Sequence, residues 1–460
     1  MAREGIRFVN YYTSDAPCLP SRAALMTGRF GIHNGVINHG GSCADRPADP
    51  HRGFRDSMAC GGSLINVLRA ARLHTCYVGG FGERHSAYWF YAGFHEVHDT
   101  AMGGMESAEH VTPTALEWIE KNASGDNWYL HVNYWDPHTP YRVPEAFGNP
   151  FEKDPLPAWL TEEVRKEHWN QSGPHSARDI SMYGNRTDPK YPRLPGDLPD
   201  MRAMRKMFDG YDCGIRYMDD HIGRLFAALE AKGVMDDLVV MISSDHGENM
   251  GELGIYGEHG TADHSTCRIP MIVRWPDRVG AGRIDNGLRY NLDLVPTLAE
   301  MLKRPVKPYW DGRSFAGTLA NEGKDTGRDQ LVLSQCCHVC QRSVRWEDWL
   351  YIRTYHDGFH LFSQEQIYHL ADDPHEQHNL AESRPALCRE GAWRLMNWHD
   401  EMMATMPRGL VADPMRVVLD EGGPFHARGE LRQYVERLNA TGRSGAINEL
   451  KRRHPREFAD

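Results

Sequence analysis

The segment around Cys18 combines residue types that can stabilise negative charge. Pro20 and Ser21 suit the first turn of a helix and would place Cys18 beside the positive end of that helix. Arg22 adds a fixed cation close by. An electron-rich group at Cys18, or an anion bound to it, would be stabilised in this setting. On residue types alone, a buried cysteine at a helix N-terminus is the simpler interpretation.

The spacing of the whole segment is more specific than its residue types. Cys18, Pro20, Ser21 and Arg22 are followed, after four further residues, by Thr-Gly-Arg at positions 27–29. A chance match to all seven fixed residues in a chain of this length is rarer than about one in a thousand. The pattern resembles the signature of the type I sulfatases, in the alkaline phosphatase superfamily. The resemblance implies that a formylglycine-generating maturation enzyme converts Cys18 to Cα-formylglycine, whose hydrate supplies the oxygen nucleophile that attacks a sulfate ester.

A second segment fits the same resemblance. Asp245 and His246 follow the apolar run Val239–Ile242 and resemble the family's second pair of metal ligands. Asp245 offers a hard oxygen for Ca²⁺ or Mg²⁺. Taken by itself, Asp-His-Gly after a strand is equally well explained as a turn.

A third segment places a histidine between two prolines. His138 lies between Pro137 and Pro140 and resembles the family histidine that contacts the sulfate and assists the leaving group. A rigid surface turn is the alternative interpretation.

Two lysines that the resemblance leads us to expect are absent. In the segment 78–85, Arg84 is the candidate for the substrate-binding cation and His85 for the acid–base role, with a turn at the rim of the sheet as the alternative. The second lysine is matched by His259, and His264 is the less favoured substitute. Histidine in place of lysine is expected to make the positive charge weaker and dependent on pH.

The resemblance also implies an Asp-Asp pair on a strand well upstream of the cysteine. Only seventeen residues precede Cys18, and Asp15 is too close to it to take that place. Asp245, His246 and the formylglycine hydrate fall short of the roughly six oxygen ligands of such an ion. We expect either that the sequence begins inside a longer gene product or that metal-dependent activity has been lost, and the intact downstream motifs favour the first.

The elements that must position these residues have an α/β pattern. Trp128–Tyr134 is rich in aromatic and β-branched residues and predicts a strand, while Met218–Leu229 has the spacing of a helix. Asp237–Ser244 and Ile269–Trp275 are apolar runs, and the first predicts a strand buried on both faces of a parallel sheet. The pattern predicts an α/β domain over residues 1–325, with the site beyond the strand ends. The resemblance implies that this domain is a large α/β/α sandwich around a mostly parallel mixed sheet, as in alkaline phosphatase.

The pattern changes after about residue 320. The polar stretch Asn321–Asp329 predicts a linker. Beyond it, a helix is expected over Leu387–Met406, and turn residues at 357–358 indicate a hairpin. We predict a smaller C-terminal α+β subdomain over residues 326–460. Its expected strands are Leu331–Ser334, Val344–Trp346, Trp349–Thr354 and Phe359–Phe362.

Composition excludes several classes of protein. The 460 residues carry 52 Lys+Arg against 63 Asp+Glu, a net charge of −11, which argues against a general nucleic-acid binder. No apolar run is long enough for a membrane span, and no signal peptide follows Met1. The sequence as written predicts a cytoplasmic protein, or a periplasmic or secreted one if its N-terminus is incomplete. The ten cysteines are too dilute for a disulfide scaffold and are expected to be mostly free thiols.

These observations predict a sulfuric ester hydrolase that acts on a sulfated carbohydrate or an aryl sulfate. Cys18 is the precursor of the nucleophile and Arg22 orients and neutralises it, while His138 and His85 bind sulfate and protonate the leaving oxygen. Phosphonate or phosphate ester hydrolysis on the same residues is a second possibility. A non-catalytic, vestigial binding protein is a third, because of the missing Asp-Asp pair.

Overall fold

The computed structural model describes residues 1–45, 62–276, 280–321, 326–407, 410 and 412–459. The strands are β1 (Ile6–Phe8), β2 (Tyr11–Tyr12), β3 (Asp15–Ala16), β4 (His74–Val78), β5 (Glu96–His98), β6 (Trp128–Val132), β7 (Val240–Ser243), β8 (Asn249–Met250), β9 (Tyr256–Glu258), β10 (Met271–Arg274), β11 (Arg283–Asp285), β12 (Arg289–Tyr290), β13 (Gln330–Gln335), β14 (Cys340–Trp346), β15 (Trp349–His356) and β16 (Glu365–His369). The α-helices are α1 (Cys18–Thr27), α2 (Gly31–Asn34), α3 (Leu64–Ala70), α4 (Phe81–Arg84), α5 (Ala108–Asn122), α6 (Glu162–Asn170), α7 (Met201–Ala231), α8 (His264–Cys267), α9 (Leu294–Met301), α10 (Ala316–Leu319), α11 (Pro385–Ala404), α12 (Pro414–Asp420), α13 (Leu431–Ala440) and α14 (Ile447–Arg453).

Two sheets form the central layer of the larger part of the chain. One has the strand order β5-β4-β6 and is parallel throughout. The other has the order β11-β1-β10-β7, with β1 parallel to β11 and β10 antiparallel to both of its neighbours. Helices α1, α3 and α9 pack on one side of this layer, and α5 and α7 pack on the other. The predicted α/β/α sandwich is confirmed, and its main sheet is mixed.

Helix α7 is much longer than the predicted Met218–Leu229. Its N-terminus is fixed by Asp200, whose side chain accepts a hydrogen bond from the backbone N–H of Ala203 at 2.8 Å. A buried stripe begins at Met204 and Met207 and continues to Leu225, so the same face of the helix is covered along most of its length.

The strand predicted over Asp237–Ser244 forms, but not in the predicted setting. It is the four-residue strand β7, which among the described residues pairs only with β10, in the antiparallel direction. It lies at the edge of its sheet, with Val240–Ile242 partly buried and Ser243 exposed. Met241 packs toward α1, α3 and α9, while Leu238 packs toward α5 and α7. The run is apolar because helices contact both sides of the strand. Such contact does not determine whether the strand pairs in the parallel or the antiparallel direction.

The C-terminal part builds a five-stranded sheet in the order β16-β15-β14-β13-β3. Strands β13 to β16 are antiparallel, and β3, immediately before Cys18, pairs parallel with the end of β13. Phe30 and Tyr290 from the larger part pack in one core with Trp398 of α11. The C-terminal sheet therefore supports the start of α1. The division at residue 325 stays a prediction, and part of the predicted linker (322–325) lies outside the described residues.

One predicted strand of this sheet is wrong. Residues 359–362 form a turn, because Phe359 and Leu361 have φ values of 75° and 58°, in the left-handed region that a strand does not use. The Asp357 side chain accepts a hydrogen bond from the Phe359 backbone N–H at 2.9 Å and holds that turn. The fourth antiparallel strand is instead β16. Within the described residues, no helix is both long and apolar enough to cross a bilayer.

Candidate active site

Cys18 is the first residue of α1, as the sequence predicts. It is buried, and the helix begins with the Ser21 backbone N–H bonded to the carbonyl of Pro17 at 2.9 Å. The Ser21 hydroxyl donates a 2.6 Å hydrogen bond to the carbonyl of Asp245, and Asn291 donates to Ser21 in turn. These bonds tie the start of the helix to the turn after β7, so the two predicted motifs meet.

Seven of the eight predicted site residues, Cys18 included, meet around the sulfur of Cys18. His246 Nε2 lies 3.0 Å from Sγ. A carboxylate oxygen or a ring nitrogen of each of the following lies within 4.8 Å of the sulfur: Asp245, His138, His259, His85 and His39. Arg22 reaches the same place through its ion pair with Asp245.

Arg22 joins the ends of two strands. Its Nε and Nη2 both lie 2.9 Å from Asp245 Oδ2, and Nη1 donates to the side-chain oxygen of Asn133, directly after β6. The guanidinium carbon lies 4.2 Å from the ring centroid of Phe81. Burial raises the pKa of Asp245, but Arg22 and His246 outweigh it and leave that pKa lowered. The lowered pKa favours the ionised carboxylate, and the arginine contacts one of its two oxygens, Oδ2.

Cys18 and His246 form a charged pair. Burial raises the pKa of the Cys18 thiol, but His246 and the hydrogen bonds from His138, His246 and His259 lower it well below its ordinary value. Burial lowers the pKa of His246, but Asp245 and Cys18 raise it to about 8. Both shifts favour a thiolate on Cys18 beside an imidazolium on His246.

His259 is held between two buried carboxylates. Its Nδ1 lies 3.0 Å from Glu248 Oε2, and its Nε2 lies 2.9 Å from Glu258 Oε1. Burial lowers the pKa of His259, but Glu258 and the hydrogen bonds with Cys18, Glu248 and Glu258 raise it well above its ordinary range. The two carboxylates favour the charged ring, against the expected weakening of the positive charge at this position. The less favoured His264 is hydrogen-bonded to the Tyr12 hydroxyl at 3.0 Å, and burial and nearby arginines lower its pKa to about 3.

His138 is fixed by the turn between its prolines. Its backbone N–H donates to the carbonyl of Trp135 at 2.7 Å, and its carbonyl accepts from Arg142 Nη1 at 2.8 Å. Nδ1 lies 2.6 Å from the carbonyl of Thr139, so Nδ1 carries the proton and Nε2 is left for the site. The turn is therefore a built part of the site.

His85 and Arg84 are neighbours with different surroundings. The His85 ring stacks on Trp135 and lies beside His39, with ring centroids 6.4 Å and 4.8 Å apart. Its Nε2 is buried and has no hydrogen-bond partner among the described residues. Arg84 is exposed, and its side chain lies beside Gly104. The structure brings His85 to Cys18 and leaves Arg84 outside the cluster.

Sequence reasoning missed four residues that support these groups: His39, Asn133, Glu248 and Glu258. Glu248 lies in the same segment as Asp245, and Asn133 follows a predicted strand, so the local sequence could have indicated both as site residues. Glu258 precedes the predicted His259. No local sequence feature indicated His39, since only the tertiary structure brings it to the site.

The groups around Cys18 do not fit a calcium or magnesium ion by themselves. Such an ion takes about six to eight oxygen ligands. The cluster offers imidazole nitrogens and one carboxylate, Asp245, of which one oxygen already accepts two N–H groups from Arg22. The two cations, Arg22 and His259, suit an anion better.

Two family models match this chain, and curated proteins are similar to it over most of its length. Residues 1–303 match the sulfatase family model, and residues 251–388 match the model described as N-sulphoglucosamine sulphohydrolase, C-terminal. The chain is similar to the multifunctional alkaline phosphatase superfamily protein PehA of Trinickia caryophylli, with 24% identity over 86% of this chain and 88% of that protein. It is also similar to choline-sulfatase of Rhizobium meliloti, with 24% identity over 83% and 77% of the two chains.

A solved structure extends the similarity to the fold. The structure of a protein in complex with its substrate D-glucosamine-2-N,6-O-disulfate matches with a TM-score of 0.68 at 18% identity, over 89% of this chain and 93% of that one. At that identity the match concerns the fold alone. The sulfatase model, in contrast, spans well over half of the sequence and includes Cys18, Asp245 and His259. The chain belongs to the sulfatase family.

Proposed function

We propose that this protein hydrolyses a sulfate monoester with a formylglycine nucleophile made from Cys18. The observation that carries the proposal is the convergence on Cys18 of two cations, Arg22 and His259, and of two further histidines, His138 and His246. Fixed positive charges in a buried site stabilise the negative charge on the oxygens of a sulfate group. The formylglycine hydrate supplies the attacking hydroxyl oxygen.

The side chains divide the remaining work. His246 lies within hydrogen-bond distance of the Cys18 side chain. Once formylglycine replaces the Cys18 thiolate, one of the two charges that hold a proton on His246 is gone, and the neutral imidazole takes up the proton of the attacking hydroxyl. Arg22 and His259 neutralise charge on the sulfate oxygens, and they are already oriented by Asp245, Glu248 and Glu258. In its doubly protonated form, His138 keeps the Nδ1 hydrogen bond to Thr139 and donates the Nε2 proton to the leaving alcohol oxygen, and His85 is the second candidate for that role. No step is assigned to a metal ion.

We further propose a sulfated carbohydrate as the substrate class, with aryl sulfates as the simplest assay substrates. The match of residues 251–388 to the N-sulphoglucosamine sulphohydrolase C-terminal model supports a sugar. The maturation partner is a formylglycine-generating enzyme that acts on the segment containing Cys18.

The test begins with the tryptic peptide 8–22, from protein produced together with a formylglycine-generating enzyme. Its mass should show an aldehyde in place of the Cys18 thiol, and the same preparation should hydrolyse an aryl sulfate. Cys18→Ala, purified in parallel, should be inactive. A faster reaction with an aryl phosphate or phosphonate ester would favour the second chemistry instead. A thiol that persists in the presence of an active maturation enzyme would support a non-catalytic protein.

A further inference from the structure

A second cluster of metal-binding side chains lies behind the candidate active site. It consists of His175, Glu258 and His338, which come from the loop between α6 and α7, the last residue of β9 and the turn between β13 and β14. Their side chains are only 8%, 10% and 9% exposed. Three segments that are distant in sequence thus meet at one buried point.

The orientation of His175 is fixed by the backbone. Its Nδ1 lies 3.0 Å from the carbonyl of Ile180 and therefore carries a proton, which leaves the lone pair on Nε2. That Nε2 is buried, and within the described residues it has no hydrogen-bond partner. It faces Glu258 Oε2 at 3.2 Å. In this buried place the Nε2 lone pair and the carboxylate oxygen must share either a proton or a metal ion.

The separations suit a small ion with short bonds. His338 Nε2 lies 3.7 Å from Glu258 Oε1, and the three donor atoms all lie within 4.8 Å of one another. Ligands that hold a tetrahedral ion at bonds of about 2.1 Å are about 3.4 Å apart. Only small adjustments would bring the three atoms around one ion.

A cavity beside the cluster leaves room for a fourth ligand. Its volume is about 10 Å³, and it is lined by His175, Glu258, His338, His360 and His426 among others. That is the space of about one water molecule. The cluster therefore has three candidate ligands and a small space next to them.

We infer that His175, Glu258 and His338 bind one zinc ion. Two imidazole nitrogens and one carboxylate oxygen form a zinc ligand set, whereas calcium and magnesium require oxygen ligands. The Ile180 carbonyl orients the His175 ring, as a second interaction does for most metal-bound histidines. Glu258 also pairs with His259 through Oε1. A bound ion would therefore fix the carboxylate that holds the protonated ring of His259 in the active site. The inference does not depend on the proposed sulfate chemistry.

The experiment is the zinc content of the purified protein, measured by mass spectrometry after exposure to zinc and removal of the excess. Because Cys18 and its histidines could also bind zinc, the measurement is made in the Cys18→Ala variant. We expect about one zinc per chain in that variant and less than about one tenth when His338→Ala is added. His375→Ala, which changes a histidine that pairs with Glu252 outside the cluster, is the matched control and should keep the ion.

Cobalt substitution provides a measurement that does not depend on the folding of the His338 variant. The Cys18→Ala protein loaded with Co²⁺ should show the intense visible absorption of a four-coordinate site. Absence of stoichiometric zinc in Cys18→Ala would overturn the inference. So would unchanged zinc after His338→Ala, or a weak six-coordinate cobalt spectrum.

Discussion

Nε and Nη2 of Arg22 both lie 2.9 Å from the same oxygen of Asp245, Oδ2. The arginine thus occupies one side of the carboxylate and, through Nη1, also holds Asn133. A lysine has a single ammonium group and cannot make these contacts in one plane. The guanidinium is for this reason both the neutralising charge and the link between the ends of β6 and β7.

The first prediction concerns this link. Arg22→Lys should lower kcat/KM for an aryl sulfate by about 10- to 100-fold, since the charge remains but its hydrogen bonds to Asp245 and Asn133 do not. Steady-state kinetics of the matured protein give the ratio. Arg416→Lys makes the same exchange in a surface ion pair with Asp420 and should leave the rate unchanged. Equal rates for Arg22→Lys and wild type would show that the guanidinium hydrogen bonds to Asp245 and Asn133 do not contribute to catalysis.

The second prediction concerns the charge on His259. The two carboxylates, Glu248 and Glu258, keep the ring protonated, so a lysine should serve in its place. His259→Lys is expected to retain kcat/KM within about tenfold of wild type, while the neutral His259→Gln should lose about 100-fold or more. Kinetics of the two variants, with circular dichroism to confirm folding, make the comparison. If the glutamine variant were as active as the lysine variant, the positive charge would have no part in catalysis.

The third prediction separates two adjacent residues. His85 lies within 4.8 Å of the Cys18 sulfur, whereas the neighbouring Arg84 is exposed beside Gly104. His85→Ala should reduce kcat by about 10- to 100-fold, in the range of a lost acid–base or positioning group. Arg84→Ala should change kcat/KM by less than about threefold on an aryl sulfate. A large loss at Arg84 would indicate that this side chain moves to the substrate, as the sequence alone suggested.

The pair at 84–85 also illustrates what the sequence can and cannot predict. The spacing around Cys18 encodes a helix start, and Asp245 follows a strand, so both motifs could be located without coordinates. The direction in which Arg84 and His85 point depends on one short helix and on packing against Trp135, which no local pattern encodes. His39 depends on the fold in the same way.

The last prediction concerns stability rather than activity. Asp15 lies three residues before Cys18 and is buried. Its Oδ2 accepts hydrogen bonds from the Ser14 hydroxyl and the Gly31 backbone N–H. Burial raises the pKa of Asp15 to about 6, despite those hydrogen bonds, from an ordinary value of 3.8. The folded state therefore prefers the protonated acid. Its contribution to stability is fully present below pH 3.8 and is lost as the pH rises through about 6.

Asp15→Asn keeps an oxygen acceptor for these bonds and removes the titrating group. Relative to this variant, the free energy of unfolding of the wild type should fall by about 2.5 kcal/mol as the pH is raised from 4 to 8. Urea unfolding at several pH values measures the difference. Asp348→Asn, at a side chain that is 60% exposed, is the matched control. A difference between wild type and Asp15→Asn that stays constant with pH, or that grows in favour of the wild type, would mean that Asp15 is ionised in the folded protein across this range and that Gly31 and Ser14 stabilise its charge enough to offset burial.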